Sequence, residues 1–181
     1  METSNQKIIY TIGHSTRDIE DFLEMLHNFG IECLVDVRRF PSSKKFPAYN
    51  QDSLRQSLKD SNIEYVHIEA LGGRRSALKD SPNSIWKHPS FRGYADYMET
   101  PAFNEAIKEL ETIAAAKVTA IMCSEAVFWR CHRSMISDFL KSKSYEVEHI
   151  MSATKLTEHP YTAPAQIVDG TLTYHQNPSG V

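Results

Sequence analysis

The densest group of chemically reactive side chains lies between residues 123 and 133. Cys123 is followed two residues later by Glu125, and Cys131 is followed directly by His132 and Arg133. A thiol at the amino terminus of a helix and beside arginines has its thiolate stabilised, and the thiolate is the nucleophilic form of cysteine. Either cysteine could be such a nucleophile. The structural alternative is that one packs beneath a sheet while the other is a passive residue of the first helical turn.

Ionisable residues also follow three other apolar runs, at the point where each run ends. His14 follows the first run, Arg38 and Arg39 follow the second, and His67 ends the third. Ligands of open parallel sheets bind outside the carboxyl ends of the strands, so we expect these ends to form one site together with Cys123. For each residue alone a structural role is the alternative, such as a hydrogen-bonded core histidine for His67.

The residue types at these ends predict recognition of a phosphate-bearing substrate. Arginine binds phosphate through planar, bidentate hydrogen bonds, and tyrosine rings can stack against a base. Glu125 and His14 are the candidate acid–base pair, and histidine titrates near neutral pH. The candidate catalytic residues are Glu125, His14, Cys123 and Cys131, and the candidate substrate-binding residues are Arg38, Arg39, His67, Arg74, Tyr94, Tyr97, His132 and Arg133.

Three functions fit these residues. The first is an enzyme that recognises a phosphate-bearing nucleotide or nucleic acid through the arginines. The second is a thiol-dependent transferase or hydrolase that uses Cys123 or Cys131. The third is a binding module without catalysis, although such a module would need only the arginines and the aromatic residues. No Cys-x-x-Cys spacing occurs, so we expect neither a metal nor another cofactor.

The elements that must position these residues alternate along the chain. Helical periodicity begins at Ile19, with Ser15 or Thr16 as the predicted cap and Gly30 as the end. A shorter helix follows Asn50, a third opens with a Thr100 cap, and a fourth begins near Cys131. Five short runs rich in β-branched or aromatic residues predict strands at residues 8–12, 34–37, 65–68, 118–122 and 147–150.

This alternation predicts a single α/β domain, a three-layer sandwich with a mostly parallel sheet of about five strands. The connection over residues 72–98 carries four aromatic residues and predicts an ordered lid with a short helix at its end. Residues 151–181 predict a tail that wraps the surface of the domain.

Composition limits the classes of protein. The 181 residues and 41% apolar content suffice for one core, and no apolar run reaches the roughly 20 residues of a membrane span. The start of the chain lacks the apolar stretch of a secretory signal. The net charge of -3 excludes a protein that coats nucleic acid with its whole surface. With three cysteines and no need of disulfides, we expect reduced thiols in the cytoplasm and no membrane partner; the oligomeric state stays open.

Six motifs in order resemble those of domain-of-unknown-function family 488. The resemblance implies a small α/β domain with a shared polar site, and it carries no established reaction. It continues into the tail at residues 159–162 and 169–174. The motifs are Thr11-Ile12-Gly13-His14-Ser15, Val35-Asp36-Val37-Arg38, His67 with Leu71-Gly72-Gly73-Arg74, Tyr94-Ala95-Asp96-Tyr97-Met98, Met122-Cys123-Ser124-Glu125 and Cys131-His132-Arg133.

A weaker likeness extends to the rhodanese and cysteine-phosphatase folds, in which a cysteine after a strand opens an anion-binding loop before a helix. Such loops place arginine after five intervening residues and often use glycine. Here six residues separate Cys123 from Arg130 and none is glycine, so a tight phosphate loop around Cys123 is not expected.

Overall fold

A computed structural model describes residues 7–176 as an α/β sandwich around a six-stranded sheet. The predicted polar start of the chain and the last five residues of the predicted tail lie outside the described residues. The strands are β1 (Ile8–Gly13), β2 (Cys33–Asp36), β3 (Glu64–His67), β4 (Thr119–Cys123), β5 (Glu146–Ser152), β6 (Lys155–Glu158), β7 (Gln166–Val168) and β8 (Thr171–Thr173), and the α-helices are α1 (Ile19–Asn28), α2 (Gln51–Asp60), α3 (Pro89–Met98), α4 (Pro101–Ala116) and α5 (Arg133–Ser142).

The order of strands in the sheet is β3-β2-β4-β1-β5-β6, and the first five of these run parallel. β6 pairs antiparallel with β5, and β7 and β8 form a separate hairpin. In the register of the central strands, Gly13 lies beside Cys123 and Asp36 lies beside Met122 and His67. The loops that follow β1, β2, β3 and β4 therefore leave the sheet at one edge.

Each face of the sheet is covered by its own apolar cluster, which makes the three layers. On one face Phe22 and Leu26 of α1 and Leu54 of α2 pack in one buried cluster. On the other face Phe103 of α4 and Ile136 of α5 belong to the second cluster. The buried strands are apolar on both faces, as expected for a parallel sheet covered by helices.

The structure confirms the mostly parallel α/β sandwich predicted from the sequence and corrects it in detail. The predicted cap of α1 at Ser15 or Thr16 is wrong, because Ser15 donates its backbone N–H to Ser124 and the N-cap of the helix is Asp18. The five predicted strands omitted β6 of the main sheet and the hairpin strands β7 and β8, and the predicted start of α5 near Cys131 is two residues early. Gly30 ends α1 in a left-handed conformation at φ +67°, as predicted.

Within residues 7–176, no helix combines the length and the apolar character that a membrane span requires.

Candidate functional site

A cavity of about 440 Å³ opens at the carboxyl ends of the parallel strands. Its walls come from the loops after β2 and β4, the start of the connection over residues 72–98, and α3. Eight residues predicted for the site lie in its lining: Arg38, Arg39, Arg74, Tyr94, Cys123, Glu125, Cys131 and His132.

A larger cavity of about 860 Å³ lies at the opposite edge of the sheet, near Lys7, Glu32 and Lys117. Its described lining includes no cysteine or histidine, and the amino ends of parallel strands are not where such sheets bind ligands. The smaller cavity, whose lining includes cysteine and histidine side chains, is therefore the better candidate for a functional site.

Arg38 is fixed at the cavity wall by Asp36, the last residue of β2. Its Nη2 and Nε atoms donate to the two carboxylate oxygens of Asp36 at 2.7 and 2.9 Å, and both residues are buried. Tyr65 donates a further hydrogen bond to Asp36 at 2.7 Å. Because Asp36 compensates the charge of Arg38, this arginine shapes the wall of the cavity more than it adds net positive charge.

Cys131 lies at the floor of the cavity, two residues before α5 begins. The backbone N–H of Arg133 donates to Cys131 Sγ at 3.4 Å, and His132 Nδ1 lies 3.5 Å from the same sulfur. The neighbouring Cys123 thiol is the main cause that lowers the pKa of Cys131, and the Arg133 guanidinium lowers it further. This arrangement favours the thiolate of Cys131.

Cys123 has the opposite character. It is 2% exposed at the end of β4, and burial, followed by the neighbouring Cys131, raises its pKa well above the ordinary value. The Cys123 thiol therefore stays protonated and donates to the carbonyl oxygen of Glu125 at 3.7 Å, whereas Cys131 Sγ accepts from the Arg133 N–H. The sequence left the choice of cysteine open, and the geometry favours Cys131.

His132 lines the cavity between Cys131 and the loop after β2. Its Nε2 lies 3.2 Å from the carbonyl oxygen of Val37, which it can reach only as a donor. Burial lowers the pKa of His132, so the neutral ring is favoured, with its proton on Nε2. His132 Nδ1 then faces Cys131 Sγ as the acceptor of the thiol proton, which it can take up when the thiolate forms.

Three exposed or half-buried side chains form the mouth of the cavity. The guanidinium groups of Arg39 and Arg74 each lie 5.6 Å from the ring centre of Phe40, whose side chain is 58% exposed. Arg39 also donates to the backbone carbonyl of Arg74 at 2.8 Å, which joins the two loops. Within residues 7–176, no carboxylate lies within ion-pairing distance of either guanidinium.

Two of the predicted site residues serve the scaffold and do not line the cavity. His14 is buried and stacks on Tyr49 with the ring centres 4.2 Å apart, and burial is the main cause that lowers its pKa to about 4. His67 Nε2 donates to the backbone carbonyl of Arg38 at 2.7 Å and holds the loop after β2. The position of His14 does not suit a general acid or base for a ligand in the cavity.

The two predicted stacking tyrosines have little open ring surface. Tyr94 is 1% exposed and donates its hydroxyl to the carbonyl of Leu71 at 2.8 Å. Tyr97 lies outside the lining, with the Arg75 guanidinium 3.8 Å from its ring centre. The surface of Phe40 is the more accessible place for a base to stack.

Arg133 lies behind the cavity floor and is 1% exposed. Its Nη2 donates to the backbone carbonyl of Glu125 at 3.1 Å, and its Nη1 donates to the hydroxyl of Thr11 at 3.3 Å. Its buried Nε has no hydrogen-bond partner among residues 7–176. Arg133 therefore acts on the site through its charge and its backbone contacts.

The loop after β4 passes directly over Gly13. A Cβ atom at Gly13 would lie 1.7 Å from the carbonyl oxygen of Glu125, so only glycine leaves room for this crossing. Backbone hydrogen bonds from His14 to Cys123 and from Ser15 to Ser124 continue the contact.

Several lining residues were not predicted from the sequence. Phe40 follows the predicted arginine pair directly, so its place beside the basic segment was a usable signal. Gly73 and Ser124 lie next to predicted residues along the chain. The others are brought to the cavity by the start of α3 or by the turn before Cys131, and they are His88, Ser90, Phe91 and Arg130. In the described part of the chain, no cluster of three or more histidine, cysteine or carboxylate residues has the geometry to hold a metal ion.

Comparison with known proteins identified one family, whose description is Domain of unknown function DUF488. Its sequence model matches residues 18–140, which is well over half of the chain. The match includes the loops after β2 and β4 and the start of α5, but the β1 and tail motifs lie outside it. No curated protein and no solved structure matched the chain.

Proposed function

The chain belongs to the DUF488 family of domains of unknown function, and we propose that it is an enzyme that binds a phosphate-bearing nucleotide or nucleic acid in the cavity at the carboxyl ends of its strands. The observation that carries this proposal is the charge of the lining, which includes four arginines and a single carboxylate, that of Glu125. Asp36 compensates only Arg38. Arginine side chains that converge on a cavity favour an anion with several oxygen atoms.

The mouth of the cavity indicates a nucleotide more than inorganic phosphate. Phe40 presents an exposed ring between Arg39 and Arg74. An aromatic face flanked by guanidinium groups binds a base by stacking and its phosphate by charge. The negative net charge of the chain agrees with a local binding site for one nucleotide or one strand end.

Thermal unfolding with added ligands tests this proposal. The panel comprises inorganic phosphate, sulfate, nucleoside mono- and triphosphates and short single-stranded oligonucleotides. A ligand that binds only the folded protein raises the free energy of unfolding by about 2.7 kcal/mol at a hundred times its dissociation constant. We expect a nucleotide to raise the melting temperature of the wild type, and Arg74→Ala to abolish most of that rise.

The matched control is Arg55→Ala, which removes an arginine that is 55% exposed on α2 and outside the cavity. It should keep the full ligand effect. Equal loss in both variants, or no effect of any phosphate-bearing compound on the wild type, would sink the proposal. Binding that survives with no turnover of any bound nucleotide would favour a binding module.

A second candidate function is thiol-dependent transfer or hydrolysis at Cys131. The observation that favours it is the contact of Cys131 Sγ with the Arg133 N–H at 3.4 Å, beside the thiol of Cys123. All three cysteines are free thiols, which suits a protein of the reducing cytoplasm. The thiolate would attack an electrophilic centre of a substrate whose anionic group the arginines hold. The bond from that centre to its leaving group breaks as the bond to sulfur forms, and attack by water or an acceptor then breaks the bond to sulfur and restores the thiolate.

Alkylation with limiting iodoacetamide, followed by peptide mapping, tests the second candidate. At pH 7 we expect Cys131 to be labelled first. Cys33 is the internal control, since it is buried in β2 and burial raises its pKa to about 11. If Cys131 follows an ordinary thiol profile, with half-maximal reaction near pH ~8.5, the thiolate hypothesis loses its support.

A further inference from the structure

Three residues of the tail region donate hydrogen bonds to one buried carboxylate, that of Asp138 in α5. They are His159, Thr162 and Tyr174. Asp138 Oδ1 accepts from His159 Nε2 at 2.8 Å and from the backbone N–H of Thr162 at 3.0 Å. Its Oδ2 accepts from the Thr162 hydroxyl at 2.5 Å and the Tyr174 hydroxyl at 2.7 Å. Asp138 is 0% exposed, and these four donors satisfy both of its oxygens as a carboxylate.

A continuous chain of hydrogen bonds connects this carboxylate to Arg133. His159 Nδ1 lies 2.8 Å from His149 Nε2, and His149 Nδ1 is hydrogen-bonded to the hydroxyl of Thr11. Thr11 in turn accepts from Arg133 Nη1 at 3.3 Å. All five residues are at most 1% exposed.

The carboxylate fixes the direction of every bond in this chain. Because Asp138 only accepts, His159 must carry its proton on Nε2 and accept on Nδ1. His149 then donates from Nε2 and accepts on Nδ1, so the Thr11 hydroxyl donates to it. The oxygen of Thr11 is thereby left to accept from Arg133. The His149 imidazole is neutral in this pattern, and burial, the main cause, lowers the pKa of His149 to about 2.

We propose that Thr11, His149, His159 and Asp138 are a positioning chain, which holds the Arg133 guanidinium behind the cavity floor and so stabilises the Cys131 thiolate. This inference rests on the second candidate function, the thiolate of Cys131. It assigns positioning residues to that site, one of which, His159, lies in the predicted tail.

The burial of Arg133 is the reason that such a chain is needed. The Arg133 guanidinium is 1% exposed, and burying its positive charge is unfavourable unless another group compensates that charge. Yet no carboxylate of residues 7–176 lies within ion-pairing distance of it. Asp138 lies on the same helix and supplies a negative charge at the far end of four aligned hydrogen bonds. The aligned hydrogen bonds through the two histidines carry the compensation between the two charges.

The chain is also packed against the loop that leads to Cys131. The Phe128 ring stacks on His149 with the ring centres 3.7 Å apart and an interplanar angle of 6°. Cys131 donates its backbone N–H to the carbonyl oxygen of Phe128 at 3.2 Å. The orientation of His149 is therefore coupled to the backbone that carries Cys131.

The experiment measures the pH dependence of alkylation at Cys131 in four folded variants. Thr11→Val has nearly the same shape as threonine but interrupts the chain, and Thr11→Ser keeps the hydroxyl. His149→Leu interrupts the chain at a second point. Tyr174→Phe removes one donor to Asp138 and leaves the chain intact, so it is the control for loosening of the tail.

We expect Thr11→Val and His149→Leu to raise the pKa of Cys131 by about one unit, because a nearby opposite charge shifts a pKa by roughly 1 to 3 units. Below that pKa, alkylation should slow about tenfold. Thr11→Ser and Tyr174→Phe should keep the wild-type profile. If His149→Leu does not fold, the isosteric pair at Thr11 decides the question.

Two results would contradict the positioning chain but leave the thiolate of Cys131 standing. The first is an unchanged pH profile of Cys131 alkylation in Thr11→Val, and the second is an equal shift of that profile in Tyr174→Phe. An ordinary thiol profile in the wild type would overturn the second candidate function, and the chain proposal with it. The nucleotide proposal is tested separately by the ligand panel.

Discussion

Single side chains of the same type have very different roles in this protein, and their neighbours decide which. Arg38 is held by the buried carboxylate of Asp36, whereas Arg74 is exposed at the cavity mouth. Cys123 and Cys131 lie in one lining, yet one is a hydrogen-bond donor of raised pKa and the other an acceptor of lowered pKa. The role of each of these side chains therefore depends on the residue beside it.

The pair of cysteines gives the prediction at this scale. Cys123→Ala removes the neighbouring thiol that is the main cause of the lowered pKa of Cys131, so that pKa should rise. Cys123→Ser keeps a donor and should restore most of the difference. The measurement is the pH at which iodoacetamide labelling of Cys131 reaches half of its maximal rate. Identical profiles for the alanine and serine variants would show that a donor at position 123 does not control Cys131.

At the scale of elements, the site depends on the crossing of two loops. The loop after β1 and the loop after β4 are adjacent because their strands pair in register from Tyr10 to Gly13. The β4 loop can approach closely only because residue 13 has no side chain. The crossing brings the backbone of Glu125 within reach of Arg133.

Gly13→Ala should therefore displace the β4 loop and destabilise the fold. Overpacking of a tight contact costs roughly 1–3 kcal/mol, and a backbone atom at 1.7 Å places this variant at the upper end, with a free-energy loss of about 3 kcal/mol. The control is Gly30→Ala, where φ is +67° and no atom lies within 4 Å of the added carbon. It should cost about 1 kcal/mol. Urea unfolding measures both, and a smaller loss for Gly13→Ala than for Gly30→Ala would contradict this account.

At the scale of the whole molecule, buried histidines connect elements that are far apart along the described chain. His149 of β5 and His159 after β6 connect α5 to β1, and His14 connects β1 to the loop before α2 through Tyr49. Burial lowers the pKa of both His14 and His149, to about 4 and about 2. The folded molecule therefore contains neutral imidazoles that would be protonated in the unfolded chain at acid pH.

Stability should consequently decline as the pH falls below about 6.5, before most carboxylates titrate. The unfolded state binds protons there that the folded state does not, so the free energy of unfolding decreases from pH 6.5 toward the folded-state values near 4 and 2. For His14 the loss by pH 4 is about 3 kcal/mol. His14→Gln should show a shallower decline than the wild type in urea unfolding between pH 7 and 4. A wild-type curve that is flat over this range would disprove the argument.

The sequence by itself determined the elements and the edge of the sheet at which the site lies. Periodicity and turn residues are local, so β1 to β5 and the main helices were predicted within one or two residues. The short strand β6 was missed because the tail pattern shows little apolar alternation. Parallel strands share one carboxyl edge, which is why eight predicted residues line the cavity.

Only the tertiary structure decided which of these residues face a ligand and which support them. Arg133 and Arg74 are the same residue type in similarly basic segments, yet one is buried and the other exposed. The hydrogen bonds that start at the Arg133 guanidinium run through Thr11, His149 and His159 to Asp138, and these four residues are up to 148 positions apart along the described part of the chain. Hydrogen bonds between such distant residues form only when strand order and register bring them together, and no local pattern in the sequence encodes that contact.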